Sequence, residues 1–207
     1  MLTPSDSPPA DSSAPLVEVV PLGRVSGTAT AVAAANLQAI LGLDALVAPA
    51  RPLPGHCLAP SRGQYDAGRL LLELAGEGAP PPLRLGLTAS DLCLPFLTHV
   101  FGEAQLGGRA AVVSLRRLGR QEDGSRAPRD LLLERVAKVA LHETAHILGL
   151  THCRGAQCLM RFSGGLAELD RLDLAFCPAC RWRLEAARRE LRGVSGPARA
   201  EPAPVCP

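Results

Sequence analysis

Aromatic residues are scarce in this chain of 207 residues, where phenylalanine, tyrosine and tryptophan together make up 3%. Hydrophobic residues of all kinds still reach 47%, so a core must be built mostly from leucine, valine and alanine. That apolar content excludes a chain that is disordered throughout. The length suits one domain, or one domain divided by a cleft.

A strong charge imbalance and a long hydrophobic run are also lacking. The net charge of +2 gives no reason to expect a nucleic acid or a membrane as a partner. The best apolar run, AVAAANLQAILGL, is too short to span a bilayer and is interrupted by Asn36 and Gln38. The first residues, MLTPSDSPPADSSAP, have neither the basic start nor the apolar run of a secretory signal. We therefore expect a soluble, cytoplasmic protein, and we take it to be a monomer.

Proline-rich segments at both ends frame the expected domain. Residues 1–14 are rich in proline, serine and aspartate, which predicts a flexible arm, and residues 196–207 predict a flexible tail. Between them we expect a single domain over residues 15–195. Its upper part covers 15–149 and its smaller lower part covers 150–195.

Apolar periodicity and turn residues predict the elements of that domain. Strands are predicted in 15–23, in 44–53, at the start of 84–94, and as a pair formed by 98–106 and 109–118 around Gly107 and Gly108. Helices are predicted in 28–43, in 63–75, in 181–193, and in a long segment that follows an N-cap at Asp130 and runs to Gly149. This order predicts an α+β domain in which a mixed sheet packs on helices.

The segment HETAH has a spacing that is typical of zinc hydrolases. His142 and His146 are four residues apart, so on a helix they lie one turn apart on the same face and can reach one ion. Glu143 points about 100° away from His142. It can therefore approach a metal-bound water without being a ligand. HExxH alone is short enough to occur by chance, and two surface histidines on a helix are its plain alternative.

Two further positions make the pattern much more specific. Gly149 can adopt a positive φ and end the helix abruptly, after which the chain turns back and His152 can supply a third nitrogen. Three protein ligands leave the fourth position of tetrahedral zinc to water, whose pKa zinc lowers to about 7. Glu143 can then act as general base and later pass the proton to a leaving amine. The pattern predicts a catalytic zinc site.

The chain has seven cysteines, and four of them lie within residues 153–180. In a reducing compartment such clustering favours a metal over disulfides. The four are Cys153, Cys158, Cys177 and Cys180. Four thiolates would close a tetrahedral site without room for water, so we predict a structural zinc. Two disulfides, a redox CxxC pair and free buried thiols remain alternatives.

The remaining three cysteines are isolated in sequence. Cys57, Cys93 and Cys206 have no neighbouring ligand residues that would suggest a site. We interpret each of them as a small buried or free thiol.

The motifs of this region form one combined pattern: HETAHILGLTH, a following cysteine, a CxxxxC spacing, Met160 and a final CxxC. This pattern resembles the archaemetzincin family of zinc metallopeptidases, within the metzincin clan. The segments RGQYDAGRLL, GLTASDLCLP and FGEAQLGGRAAVVSLRRL are also similar to family segments, so the likeness covers most of residues 15–190. The resemblance implies a general base at Glu143 and a Met-turn beneath the catalytic metal at Met160. It implies two Zn²⁺ per chain, a catalytic ion on His142, His146 and His152 and a structural ion on Cys153, Cys158, Cys177 and Cys180.

The resemblance also implies a fold. We expect a metzincin-like zincin fold, with a twisted mixed sheet, an active-site helix above a cleft, and a small zinc-stapled C-terminal subdomain. An edge strand, which we place within residues 98–106, would pair with an extended peptide substrate. Some metzincins have a tyrosine shortly after the methionine, whereas Arg161 and Phe162 follow Met160 here.

These observations predict a zinc-dependent peptidase whose partner is a peptide or protein substrate, not a nucleic acid or a membrane. The alternative is a zinc-binding and peptide-binding module that is weak or inactive in catalysis. A nucleic-acid-binding zinc ribbon is a third reading, although Glu185 and Glu190 on the basic terminal helix argue against it. His56 and His99 stand apart from the motif. His99 could line the cleft, but we assign a structural role to both.

Overall fold

The computed structural model describes residues 16–76 and 82–192 of the chain. The predicted arm (1–14), the predicted tail (196–207) and Cys206 lie outside the described residues. Among the helices in those two described ranges, none is long and apolar enough to cross a membrane.

All strands of the described chain precede residue 115, two α-helices lie among them, and the other α-helices follow. The strands are β1 (Val17–Leu22), β2 (Ala45–Val47), β3 (Leu58–Ala59), β4 (Gln64–Asp66), β5 (Leu83–Thr88), β6 (Leu92–Leu94), β7 (Leu97–Val100), β8 (Gly102–Ala104) and β9 (Ala110–Ser114). The helices are α1 (Gly27–Leu41), α2 (Ala67–Ala75), α3 (Leu115–Leu118), α4 (Arg129–Ile147), α5 (Leu166–Arg171) and α6 (Pro178–Leu191).

A five-stranded sheet with the order β2-β1-β5-β9-β8 lies before α4 in the chain. Its first four strands are parallel, and β8 runs antiparallel to β9 at one edge. The predicted strand pair around Gly107 and Gly108 is confirmed, and so is an edge strand within residues 98–106. The α+β class with a mixed sheet is confirmed as well.

Both faces of this sheet are covered by helices, which explains why its strands are apolar along almost their whole length. On one face, Val19 and Val113 belong to a core that includes residues of α1 and α4. On the other face, Val20 and Val112 belong to a core that includes residues of α2. Because side chains alternate along a strand, the side chains of neighbouring valines pack into two different cores.

A second, four-stranded sheet with the order β3-β4-β6-β7 is not predicted by the sequence pattern. One of its strands, β4, occupies the start of the segment that we predicted as a helix over 63–75. The helix begins instead at Ala67, because the Asp66 side chain accepts a hydrogen bond from the backbone N–H of Arg69 at 3.1 Å and caps it. The strand pair β6 and β7 leads the chain directly into β8.

The long helix α4 carries the HETAH segment. Pro128 occupies its N-cap position, so the predicted cap at Asp130 is wrong. The N–H of Leu132 donates to the Pro128 carbonyl oxygen at 3.0 Å, so the helix already begins there, and Pro128 disfavours a helical conformation in the residue before it. Asp130 lies in the first turn, where its charge favours the helix dipole. At the other end, Gly149 has a φ of +86°, as the predicted abrupt turn requires.

The segment 150–192 follows this turn. It contains α5, a helix of six residues where the sequence predicts only irregular chain. So short a helix has too few turns for apolar periodicity to reveal it. The last helix, α6, starts at Pro178 and not at the predicted Arg181, because Cys177 is its N-cap and Pro178 suits the first helical position.

A buried arginine fastens α5 to α4. The Arg135 side chain is only 3% exposed, and its Nε and Nη2 atoms donate to the two carboxylate oxygens of Asp170 at 2.7 and 2.6 Å. Its Nη1 atom donates to the carbonyl oxygens of Leu118 and Arg120. The hydrogen bond to Asp170 raises the pKa of Arg135. Arg135 therefore ties α4, α5 and the chain after α3 together.

The only lysine of the chain, Lys138, makes a second connection between α4 and α5. Its ammonium group lies 2.7 Å from a carboxylate oxygen of Glu134, one turn earlier on α4. It also donates to the carbonyl oxygens of Leu169 and Asp170, each at 3.3 Å. These carbonyls are at the end of α5, where a helix has free acceptors and favours a cation.

Replacing Arg135 with methionine should lower the free energy of unfolding by about 3 kcal/mol, because the change leaves Asp170 and two carbonyl groups without their partner. Arg189→Met is the matched control, since the Arg189–Glu185 pair is 3.9 Å long with side chains 38% and 49% exposed. The control should lose no more than about 1 kcal/mol. Denaturant unfolding of both variants at a fixed zinc concentration would measure the difference. Equal small losses would contradict the anchoring role.

Candidate metal centre and active-site cleft

Three histidines meet at the C-terminal end of α4. His142 and His146 lie one turn apart on α4, and His152 follows the turn at Gly149. One ring nitrogen of each lies within 4.8 Å of the others. His142 and His146 are partly buried, whereas His152 is exposed. The structure thus brings together the three histidines that the sequence predicts as ligands.

Backbone carbonyls fix the orientation of two of these rings. Nδ1 of His142 lies 2.7 Å from the carbonyl oxygen of Leu159, and Nδ1 of His146 lies 2.6 Å from that of Leu150. A carbonyl can only accept, so both Nδ1 atoms carry the proton and both Nε2 atoms present a lone pair. Such second contacts are typical of metal-binding histidines, because they set the tautomer and the direction of the ring.

The two Nε2 lone pairs face each other across 3.0 Å. With both protons on Nδ1, neither Nε2 atom of His142 or His146 can donate to the other. Two lone pairs at this distance repel unless a cation lies between them. Nitrogens bound to one tetrahedral zinc at about 2.1 Å would be about 3.4 Å apart, so a small adjustment accommodates the ion. The histidine cluster therefore fits a zinc ion.

Burial favours the neutral form of these imidazoles, which is the form that binds a metal. It lowers the pKa of His142 to about 4, although the hydrogen bond to Leu159 acts in the opposite direction. Burial also lowers the pKa values of His146 and His152.

Glu143 is buried beside the cluster, with 7% of its surface exposed. Burial raises the pKa of its carboxyl group well above the ordinary value, and the nearby charge of Glu103 adds to the effect. Within residues 16–76 and 82–192, no hydrogen bond or ion pair holds this carboxyl group. A buried carboxyl group without a partner is costly to the fold, and such groups occur preferentially at functional sites.

A cleft of about 570 Å³ passes over the histidines and Glu143. Its upper wall comes from β7 and β8, and its lower wall comes from the chain after Met160 and from α5. The wall residues outside the histidine cluster include Leu97, His99, Phe101, Gly102, Glu103, Leu106, Lys138, Arg161, Phe162, Leu169 and Leu172. Most of them are apolar, as is usual for a binding cleft.

The upper wall offers backbone groups of β8 that have no backbone partner among the described residues. Ser114 N–H donates to the carbonyl oxygen of Phe101, and Gln105 N–H donates to that of Ala110. In an antiparallel pair, every second residue directs its N–H and C=O groups to the partner strand. Because Phe101 and Gln105 do so here, the N–H and C=O groups of Gly102 and Ala104 point away from β9. An extended peptide can pair with these groups as an added strand.

Four cysteines form a second cluster directly after the histidines. Their Sγ atoms lie within 4.8 Å of one another, and those of Cys153 and Cys177 are 3.8 Å apart. Sulfur atoms about 2.3 Å from a central zinc form a tetrahedron with edges of about 3.8 Å. No disulfide joins the six described cysteines, so the alternative of two disulfides is not observed. The donor set, which also contains Cys158 and Cys180, fits a closed zinc site.

Backbone N–H groups support this cluster. The N–H of Gly155 donates to Sγ of Cys153 at 3.3 Å, and the N–H of Cys177 donates to Sγ of Cys158 at 3.4 Å. Burial raises the pKa of Cys158. Burial also acts to raise the pKa of Cys177, but hydrogen bonds from the backbone of Cys180 and from neighbouring thiols bring it down to about 7. A thiol of that pKa loses its proton readily, and the resulting thiolate is the form that binds a metal.

Met160 is fully buried and lies in a tight turn, since Arg161 N–H donates to the carbonyl oxygen of Cys158 at 2.8 Å. Its own carbonyl oxygen accepts a hydrogen bond from Cys153 N–H, and the preceding Leu159 carbonyl orients His142. The turn therefore contacts both clusters. A position of Met160 beneath the metal stays a prediction.

The other histidines and cysteines are distributed as follows. His99 lines the cleft, with its ring 5.8 Å from that of Phe101. His56 lies outside the cleft, where Nε2 is 2.9 Å from a carboxylate oxygen of Glu73. Cys57 and Cys93 are buried and belong to neither metal cluster.

Sequence reasoning missed several cleft residues, notably Gly102, Glu103 and Lys138. The alternation of strand residues could have shown that Gly102 and Ala104 share one face of the edge strand. Lys138 could have been found from its i−4 position relative to His142 on the same helix face. Leu169 and Leu172 gave no signal, because α5 itself was not predicted.

Comparisons with known proteins agree with this geometry. A family model described as Peptidase family M54 matches residues 82–186. The archaemetzincin of Archaeoglobus fulgidus is 38% identical over 151 residues, which cover 72% of this chain and 86% of that protein.

Solved structures of similar proteins extend the agreement to the fold. The crystal structure of archaemetzincin from Methanopyrus kandleri has a TM-score of 0.73 and 35% identity, covering 84% of this chain and 95% of that one. A zinc-dependent peptidase from Methanocorpusculum labreanum has a TM-score of 0.73 and 28% identity, covering 81% and 99%. With its clustered histidines and cysteines and these likenesses, the chain belongs to peptidase family M54, the archaemetzincin family of zinc metallopeptidases.

Proposed function

We propose that the protein cleaves peptide bonds at the histidine cluster, with Glu143 as the general base. The proposal rests on the three ring nitrogens that His142, His146 and His152 bring together, which form an open donor set for one ion. In the described part of the chain, no fourth histidine, cysteine, aspartate or glutamate joins that group. A tetrahedral ion held there keeps one position for water or substrate.

Zinc held by these histidines would supply Lewis acidity, which polarises a carbonyl group and lowers the pKa of water. The chain's own residues would do the rest. Gly102 and Ala104 would bind the peptide backbone as an added strand along β8. The apolar cleft walls would take the side chains and exclude bulk water from the reacting atoms.

Glu143 would move the proton. Its carboxylate would accept a proton from water as the water oxygen bonds to the carbonyl carbon of the peptide. It would then deliver that proton to the amide nitrogen as the C–N bond breaks. Burial favours the protonated carboxyl group, so Glu143 is suited to hold the proton between the two transfers.

The four cysteines would hold a second zinc that has no catalytic role. Cys153 and Cys158 lie after α4, and Cys177 and Cys180 lie at the start of α6. An ion bound by all four would tie α6 to the turn that carries His152 and Met160. Zinc would therefore support the lower wall of the cleft without contacting substrate.

Replacing Glu143 with glutamine should lower kcat/KM for peptide hydrolysis by about 10²- to 10⁴-fold, because the amide cannot accept the proton. Zinc content and thermal stability should not fall, since glutamine has nearly the same shape. The rates would be measured with internally quenched peptides on zinc-loaded protein. Normal turnover by a clean preparation of Glu143→Gln would refute the proposed mechanism, and peptide binding without turnover by the wild type would favour the binding-only alternative.

Replacing His146 with alanine should lower the zinc content from two ions per chain to one, because only the histidine cluster loses a ligand. Elemental analysis after dialysis against zinc-free buffer measures the ratio. His56→Ala is the matched control, since His56 lies outside both clusters, and it should keep both ions. A fall to zero, or no fall, would mean that the two ions are assigned wrongly or depend on each other.

Replacing Cys177 with serine should also remove one zinc, but with a different consequence. The lower part should lose stability by several kcal/mol, because metal binding at a structural site contributes to folding. Cys93→Ser serves as control for loss of a buried thiol outside the cluster. Thermal unfolding with elemental analysis would separate the two variants. Equal zinc content in both would count against the structural site.

A further inference from the structure

The edge strand and the buried glutamate approach each other closely at one glycine. A Cβ atom built on Gly102 would lie 2.6 Å from Oε1, 2.7 Å from Cγ and 2.9 Å from Cδ of Glu143. Non-bonded carbon atoms normally stay about 3.5–4.0 Å apart. The Glu143 side chain therefore fills the space that any side chain at position 102 would need.

Backbone conformation does not explain this glycine. Gly102 is not among the glycines with positive φ, so an alanine could adopt the same backbone. It lies in β8 opposite Val113 of β9 in regular antiparallel register. Position 102 therefore has no room for a side chain, because Glu143 occupies that space.

The strand and the helix that carry Gly102 and Glu143 cannot separate easily. Glu143 is buried, and it follows His142, whose ring is fixed by the Leu159 carbonyl. The loop after β8 is tied to the same helix, because Gly107 N–H donates to the carbonyl oxygen of His146 at 2.9 Å. The strand and α4 therefore keep their spacing, and a methyl group between them must displace the Glu143 carboxyl group or separate the two elements.

We propose that Gly102 is a positioning residue, which leaves room for Glu143 and so sets where its carboxyl group stands relative to the substrate-binding edge of β8. The catalytic part of this inference rests on the proposed role of Glu143 as general base. The outward-facing backbone groups of Gly102 would hold the peptide next to that carboxyl group. Binding of the peptide and placement of the base are then set at the same residue.

A stability cycle tests the contact without any assay of activity. It compares wild type, Gly102→Ala, Glu143→Ala and the double variant by thermal unfolding. Gly102→Ala should lower Tm by at least roughly 3 °C in the wild-type background. The decrease should largely disappear in the Glu143→Ala background, because that change removes all three atoms that the new methyl group meets. An equal decrease in both backgrounds would overturn the inference, since the cost would then arise in the strand itself.

Kinetics test the consequence of the contact. In zinc-loaded Gly102→Ala, kcat for the internally quenched peptide that the wild type cleaves fastest should fall at least about 10-fold, because a displacement of about 1 Å is costly to catalysis. KM should change much less, and zinc content should stay the same. Gly55→Ala is the matched control: a Cβ atom there meets nothing within 4 Å, and the residue does not line the cleft. It should keep the wild-type kcat and Tm.

The outcomes separate this inference from the proposed function. If Glu143→Gln retains activity, the role of the base fails, whereas the stability cycle still reports the contact. If Glu143→Gln is inactive but Gly102→Ala keeps the wild-type kcat, the positioning role alone is wrong. A rise in KM with unchanged kcat would likewise overturn the positioning role, because that result assigns Gly102 to peptide binding only.

Discussion

The abrupt end of α4 at Gly149 is the constraint on which both ligand clusters depend. A helix alone can direct His142 and His146 at one ion, but a third ligand must come from chain that turns back. The φ of +86° at Gly149 permits that turn, and Leu150 then places its carbonyl oxygen 2.6 Å from Nδ1 of His146. His152 follows two residues later and Cys153 comes next. The peptide bond between these two residues separates a three-nitrogen cluster from a four-sulfur cluster, so one turn fixes the spacing of both.

The two clusters also support each other through the turn at Met160. The Leu159 carbonyl orients His142, while the Met160 carbonyl accepts a hydrogen bond from Cys153. A closed cysteine site would hold this turn in place. The turn also orients the His142 ring through the Leu159 carbonyl. The arrangement explains why a short and irregular lower part can form one wall of a cleft. Its buried apolar residues, such as Leu159, Leu169 and Phe176, belong to the same core as α4, and the Arg135–Asp170 pair adds a polar connection.

Sequence reasoning succeeded where chemistry is local and failed where it depends on packing between distant segments. The spacing of His142, His146 and His152 follows from helix geometry and from one glycine, and the structure brings these residues together as predicted. The long helix, the edge strand and the strand pair at Gly107 also follow from local patterns. In contrast, α5 is too short to show a period, and the order of the parallel strands depends on crossovers that no local pattern encodes. The cap at Asp130 was wrong because the helical hydrogen bonds already begin at the Pro128 carbonyl oxygen, which accepts from Leu132 N–H.

The residues that the sequence did not reveal share one property: each acts through a neighbour that is distant in the chain. Gly102 looks like an ordinary strand glycine until Glu143 is seen to occupy the space beside it. Lys138 looks like a surface lysine, yet it is 1% exposed and holds the carbonyl groups at the end of α5. The Glu143 carboxyl group and the facing Nε2 lone pairs are unfavourable in a protein that only needs to be stable. Regular β8–β9 pairing, the Arg135 anchor and the tie from Gly107 to α4 keep these groups in place, which is the physical condition for a site that binds metal and substrate together.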